Sequence, residues 1–238
     1  MKTVKLSCRL QALADMVTKG NTVCDVGCDH GWVSIYLVQQ QIAKKVIAMD
    51  VKKGPLERAR EHIVQYQLEN QIETRLSDGL GEIKSKEADC MICAGMGGPL
   101  MEKILTEGRE KATAMKELIL QPQSEIPRFR MFLRNEGYRI VEERIIFEEG
   151  KYYSIIKVIP EKRCSEVVDL KEQLLWDTYG EILLKEKNSV LIQYLAHRKT
   201  YVEEIIHTII EQGVSKDRIH ELEAEANLIH KALEYMKI

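Results

Sequence analysis

From Thr22 to about Pro160, short apolar runs alternate with amphipathic stretches. That alternation restricts the chain to a parallel sheet with helices on both faces. The apolar runs predict strands over Thr22–Val26, Lys45–Asp50, Ile72–Leu76, Asp89–Ala94, Glu117–Gln121, Tyr138–Glu148 and Tyr152–Ile159. Helical patterns lie between them at Val33–Gln40, Pro55–Gln67, Pro99–Glu107 and Ile126–Asn135. The last two strands meet through Glu148-Glu-Gly-Lys151, too short for a crossover helix, so one edge strand must run antiparallel. The expected core is an α/β, Rossmann-like, seven-stranded, mostly parallel sheet with one antiparallel edge.

After Pro160 the pattern turns wholly helical, which predicts two domains, residues 1–160 and residues 161–238. The final helix spaces Ile219, Leu222, Ala226, Ile229, Leu233 and Met236 by threes and fours; the one before it spaces Leu191, Leu195, Val202, Ile205 and Ile209 likewise, with Arg198 in a seam slot. Gly213 is the expected helix terminator and Ser215 the expected N-cap of the next helix. A coiled-coil-like hairpin packed on itself is expected over an intermolecular coiled coil. This segment carries 11 Lys and Arg against 15 Asp and Glu, so any contact with RNA would use one face, for instance around His197-Arg198-Lys199.

Thr22-Val-Cys-Asp-Val-Gly-Cys-Asp-His-Gly31 runs from a strand through a glycine turn into a helix. Gly27 allows the sharp turn and the close approach of a ligand to the backbone. A glycine loop alone says little, because such turns are common after strands. Three acidic strand ends in order say more. Asp25 is placed to accept from a cofactor amino group, Asp50 from both ribose hydroxyls of an adenosine, and Asp78, followed by Gly79, from the adenine N6 amine. Cys28, His30, Gly31 and Val51 flank these carboxylates, and Ala94, Gly95 and Met96 end the fourth strand facing the same cofactor.

The sign of charge selects the cofactor. A pyrophosphate needs uncharged backbone N–H groups, and Asp29 in the middle of the loop would repel it. S-adenosylmethionine carries a sulfonium and an ammonium, which acidic residues suit. The reading is therefore a class I methyltransferase using S-adenosyl-L-methionine, with an NAD oxidoreductase disfavoured. The fourth strand continues as Ala94-Gly-Met-Gly-Gly98, with no side-chain acceptor for an amine target. A ring nitrogen with a free in-plane lone pair would need none.

Asp25-Val-Gly-Cys-Asp-His30, Ala94-Gly-Met-Gly-Gly98, Leu120-Gln-Pro122 and Gly150-Lys-Tyr-Tyr153 occur in an order and spacing that resemble the bacterial tRNA (adenine(22)-N1)-methyltransferases, the TrmK-like family. The resemblance covers the whole chain, helical tail included. It implies methyl transfer to N1 of adenine in the D-arm region of tRNA. Such chemistry is chiefly alignment of nucleophile, methyl and sulfur, with a general base optional. Positive charge grows on the adenine as N1 is alkylated, and Asp29 is the candidate catalytic carboxylate. The candidate tRNA-binding set is Arg9, Gly97, Gly98, Gln121, Pro122, Arg130 and Arg134. Arg128, Lys52 and Lys53 could join a basic rim, and the alternative is a solvated helix face paired with glutamates.

The remaining features exclude other classes. No apolar run is long enough to span a bilayer, and no signal core opens the chain, so a cytoplasmic protein is expected. The net charge of −2 offers no global attraction to nucleic acid. Cys8, Cys24, Cys28, Cys90, Cys93 and Cys164 should be reduced thiols. Cys24/Cys28 and Cys90/Cys93 fall on neighbouring strands, but the odd spacing of the second pair points its members to opposite faces, which favours core thiols over a metal site. Phe129, Phe132, Trp176 and Trp32 read as core or hinge packing. His62 and the histidines of the tail show no metal spacing. A small-molecule or protein methyltransferase, and a non-catalytic S-adenosylmethionine-sensing RNA-binding protein, remain open; a monomer is the expected state.

Overall fold

The computed structural model describes residues 3–161, 169–212 and 216–237. The chain divides into two compact units, Met1–Cys164 and Ser165–Ile238. Gly213, Ser215 and Cys164 lie outside the described residues.

In the first unit the strands are β1 (Thr22–Val26), β2 (Lys45–Asp50), β3 (Ile72–Leu76), β4 (Cys90–Met96), β5 (Glu117–Pro122), β6 (Tyr138–Glu148) and β7 (Lys151–Pro160). They form one sheet in the order β3-β2-β1-β4-β5-β7-β6, parallel except where β7 meets β5 and β6. The expected mixed sheet with its antiparallel edge is the observed one. The chain order reverses between β1 and β4, so the crevice for a ligand opens there, at the C-terminal strand ends.

Alternation along the central strands divides the core in two. Ile92 and Ile119 pack on one face with Leu13, Ile35 and Ile63; Met91, Leu118 and Leu120 pack on the other with Met101, Leu105, Phe129 and Leu133. The first layer is α1 (Cys8–Ala14), α2 (Trp32–Gln39) and α3 (Lys53–Gln65). The second is α4 (Gly98–Glu107), α5 (Arg109–Thr113) and α6 (Ile126–Asn135). The sequence pattern did not reveal α1 and α5. Each is a turn or two long, below the length at which apolar periodicity stands out, and α1 holds its place by burying Ala12, Leu13 and Ala14. β4 runs two residues past the expected Ala94, through a bulge between Ala94 and Met96.

The second unit holds α7 (Leu170–Tyr179), α8 (Glu181–Lys185), α9 (Ser189–Gln212) and α10 (Lys216–Tyr235). α9 packs along α10 through the expected seam, in which Leu191, Leu195, Val202, Leu222, Ile229 and Met236 are buried. Ala232 is buried where Leu233 was expected to be, and Leu233 is only half-buried. Arg198, the charged residue in the seam, donates from Nε and Nη2 to Glu225 at 2.5 and 3.0 Å and lies over the Tyr201 ring. A bidentate partner makes a seam arginine tolerable.

Candidate cofactor and substrate site

The strand ends meet in register. Val26 pairs with Met49 and with Cys93, Asp50 with Leu76, Ala94 with Gln121 and Met96 with Pro122. The loop after β1, the Asp50 and Asp78 turns and the Gly95–Gly98 segment are thereby brought to one edge. Gly27 and Cys28 both donate their N–H to the Met49 carbonyl at 2.8 and 2.9 Å, which ties the loop to β2. Gly27 has φ +76°, and a Cβ there would come within 2.2 Å of the Met96 methyl group. Only glycine fits this turn. A Cβ on Gly98 would lie 2.7 Å from the Ser124 carbonyl oxygen, so the start of α4 and the loop after β5 are in direct contact.

Three carboxylates sit on three adjacent strands. Asp25 is buried at 5% exposure and accepts from the Ser34 hydroxyl at 2.6 Å. Burial pushes its pKa up to about 6, the Ser34 hydrogen bond pulls it down, and the charge of Asp50 raises it further. Asp50, half-buried at the end of β2, accepts from the Lys52 N–H at 2.8 Å through one oxygen. Asp78 is exposed in the turn after β3, where the Ser77 hydroxyl donates to the Gly79 carbonyl and accepts from the Glu82 N–H. Val51 is exposed beside Asp50.

Asp29 stands apart from these three. Its φ of +47° is left-handed, its side chain is 66% exposed, and beside it stand the His30 ring nitrogen Nε2 at 3.6 Å and the Arg58 guanidinium Nη2 at 3.8 Å. Aspartate is among the few residues that tolerate this backbone region. His62 supports the loop: its Nδ1–H donates to the His30 carbonyl at 2.9 Å and its ring stacks on Trp32 at 4.0 Å. Trp32 is half-buried, packs against the core as expected, and also braces the loop.

The substrate-side residues separate into two groups. Arg9 Nη1 donates to Gln121 Oε1 at 2.9 Å, the Gly95 N–H donates to the same oxygen at 3.2 Å, and the Arg9 guanidinium lies over the Tyr153 ring. The other guanidinium N–H groups of Arg9 meet no acceptor among the described residues. Gln121 is fully buried. Its carbonyl oxygen is taken by Arg9 and Gly95, so it positions them and does not itself face a substrate. Pro122 is buried, Gly98 is buried, and Gly97 is half-buried.

Arg130 and Arg134 do not share an exposed face. Arg134 is exposed, but Arg130 is 3% exposed and its Nε donates to the buried Glu143 at 2.8 Å. The expectation that Arg130 reaches a phosphate is corrected by this burial. The i, i+4 spacing placed both on one side of α6, but α6 lies on the sheet so that position 130 faces β6. Arg128 is exposed and bound to Glu102 and Glu125. Phe129 is core and stacks on Phe132.

Cys90 and Cys28 fall in one core layer, Cys24 and Cys93 in the other, all as buried free thiols. Burial and, to a smaller degree, the charge of Asp25 push the Cys93 thiol up to about 12. Among the described residues no group of three His, Cys, Asp or Glu side chains could hold a metal, and no helix is long and apolar enough to cross a membrane.

The sequence assigned no hydrogen-bonding role to Ser34 or Arg58. A serine in the otherwise apolar start of α2, Trp-Val-Ser-Ile, was the available signal for the first. Nothing local marked the second.

Residues 6–156 match the family described as "Methyltransferase domain". Over its full length the chain is similar to the Bacillus subtilis tRNA (adenine(22)-N(1))-methyltransferase, with 32% identity across 99% of this chain and 100% of that protein. The crystal structure of the B. subtilis m1A22 tRNA methyltransferase TrmK superposes with a TM-score of 0.82 at 30% identity, covering 97% of this chain and 99% of that one. The structure of M. capricolum TrmK in complex with the cofactor product S-adenosyl-homocysteine superposes with a TM-score of 0.80 at 26% identity, covering 97% and 99%.

Proposed function

This chain belongs to the tRNA (adenine(22)-N1)-methyltransferase family, and from that premise we propose that it methylates N1 of adenine 22 in tRNA with S-adenosyl-L-methionine as donor. The observation that carries the reading is the set of three carboxylates, Asp25, Asp50 and Asp78, on adjacent strand ends around a left-handed glycine loop. S-adenosylmethionine, when bound, supplies a methyl group already activated by its sulfonium. Asp50 would hold the ribose hydroxyls, Asp78 the adenine amine and Asp25 the ammonium, each carboxylate meeting a donor or a cation. The segment Ala94, Gly95 and Met96 would border the methyl group, and Gly97 and Gly98 leave room for a target base without a side-chain acceptor.

Adenine N1 attacks through its own lone pair, so the protein's work is positioning and charge stabilisation. Asp29 is the carboxylate free to face the positive charge that grows on the base. Chemistry is assigned to residues 1–160, and the helices from Leu170 to Tyr235 belong to the second unit. Buried free thiols suit the reducing cytosol, where we place the protein, as a monomer.

The direct test incubates the purified protein with S-adenosylmethionine and an unmodified tRNA transcript, followed by nucleoside mass spectrometry. N1-methyladenosine is expected, and a transcript with guanine at position 22 should yield none. Binding of S-adenosylhomocysteine without any methyladenosine would turn the reading toward a sensor.

Arg9 is the cation we assign to the RNA backbone. Held by Gln121 and Tyr153 at the strand ends, it keeps N–H groups for an outside acceptor. Arg9→Ala is expected to raise KM for tRNA about tenfold, to reduce the slope of log affinity against log salt by about one, and to leave S-adenosylhomocysteine affinity unchanged. An unaltered salt slope would remove the phosphate contact.

A further inference from the structure

Ser34 is the third residue of α2, and its neighbours Val33, Ile35, Leu37 and Val38 are all core. A serine at a fully buried helical position gives up apolar packing and buries a hydroxyl, which is tolerated only where that hydroxyl is bonded. Ser34 has no exposed surface, and its hydroxyl donates to Asp25 Oδ2 at 2.6 Å. Asp25 Oδ1 accepts nothing from the described residues.

The charges around Asp25 are one-sided. Asp50 on β2 is the charged side chain that acts on it, and it repels. The Cys28 thiol lies on the same side of the sheet as Asp25, those of Cys24 and Cys93 lie on the other, and burial holds each of them neutral. Among the described residues no lysine or arginine offsets the carboxylate. A buried carboxylate with one hydroxyl, one open oxygen and no cation is incomplete, because a buried charge is stable only when paired. It sits in the floor of the glycine loop, where the missing cation must come from a ligand.

We propose that Ser34 and Asp25 form a two-part receptor for a ligand ammonium group, in which Ser34 is the positioning residue. Its hydroxyl fixes the carboxylate through Oδ2 and leaves Oδ1 to receive the α-ammonium of S-adenosylmethionine. This rests on the methyl-transfer reading for the identity of the ligand. The hydroxyl bonds the ionised form, so it also lowers the pH at which the receptor becomes charged. Occupation of Oδ1 by a cation demands the ionised carboxylate; affinity must therefore climb as pH rises through about 6 and level off above it.

The test measures calorimetric affinity between pH 5 and 8 for two ligands, S-adenosylhomocysteine, which has the ammonium, and 5′-methylthioadenosine, which lacks it. For the wild type, the first ligand should show the pH rise and the second should not. Ser34→Ala should weaken S-adenosylhomocysteine about tenfold at pH 7 and move its midpoint upward by about one unit, with methylthioadenosine affinity unchanged. An equal loss for both ligands would reduce Ser34 to a packing residue and overturn the proposal. So would unchanged S-adenosylhomocysteine binding in the variant, or a flat wild-type pH profile, which needs no variant to observe. Failure of the wild type to bind S-adenosylhomocysteine at any pH would overturn the methyl-transfer reading itself and this proposal with it.

Discussion

Replacing Asp29 with asparagine is expected to lower kcat about a hundredfold while S-adenosylhomocysteine affinity stays within about threefold of the wild type. Asparagine keeps the shape and tolerates the left-handed φ of +47° at this position, so the substitution removes charge and little else. Alanine at the same place would add backbone strain of about 1 kcal/mol and blur the comparison. The division between kcat and affinity follows from geometry. Asp25 is buried in the floor of the loop, whereas the Asp29 side chain is largely exposed, with Arg58 and His30 only loosely beside it at 3.8 and 3.6 Å. A carboxylate so placed can approach an incoming base and favour the cationic methylated ring over the neutral one. A collapse in S-adenosylhomocysteine affinity with kcat preserved would instead make Asp29 a cofactor ligand. Single-turnover methylation together with calorimetry distinguishes the two.

Arg130→Ala is expected to destabilise the fold by about 3–5 kcal/mol, because it breaks a buried ion pair by removing the guanidinium that donates to Glu143. The effect should appear as a large fall in the melting temperature of the full chain. The double variant Arg130→Met, Glu143→Leu should recover most of the loss, since two packed apolar side chains replace a pair whose desolvation cost offsets much of its attraction. A phosphate-binding arginine would behave otherwise: the single variant would melt near the wild type and show a reduced salt dependence of tRNA binding. A single variant within about 1 kcal/mol of the wild type would contradict the buried-pair account.

That contrast shows how the sequence informs and where it stops. Strands β1, β2, β3 and β6 have the bounds indicated; in β1 and β2 this is because a strand buried on both faces must be largely apolar, whereas β3 and β6, at the edges of the sheet, carry polar residues within. The glycine loop and the acidic ends Asp25, Asp50 and Asp78 were equally legible, because ligands of such sheets gather at strand C-termini regardless of detail. α1 was not legible. Its seven residues have no periodicity to detect, and it exists because it packs Leu13 beneath the sheet and delivers Arg9 to Gln121, 112 residues away.

The sequence alone therefore determined the α/β class, the antiparallel edge, the helical tail and the sign of charge that selects a sulfonium cofactor. These follow from periodicity, from the length of the β6–β7 turn and from the identity of Asp29, all local properties. The tertiary structure decided which polar side chains meet: Arg130 with Glu143, Arg9 with Gln121, Ser34 with Asp25. Each pairing depends on how a helix is rotated and set down on the sheet, a property of packing that no local spacing encodes.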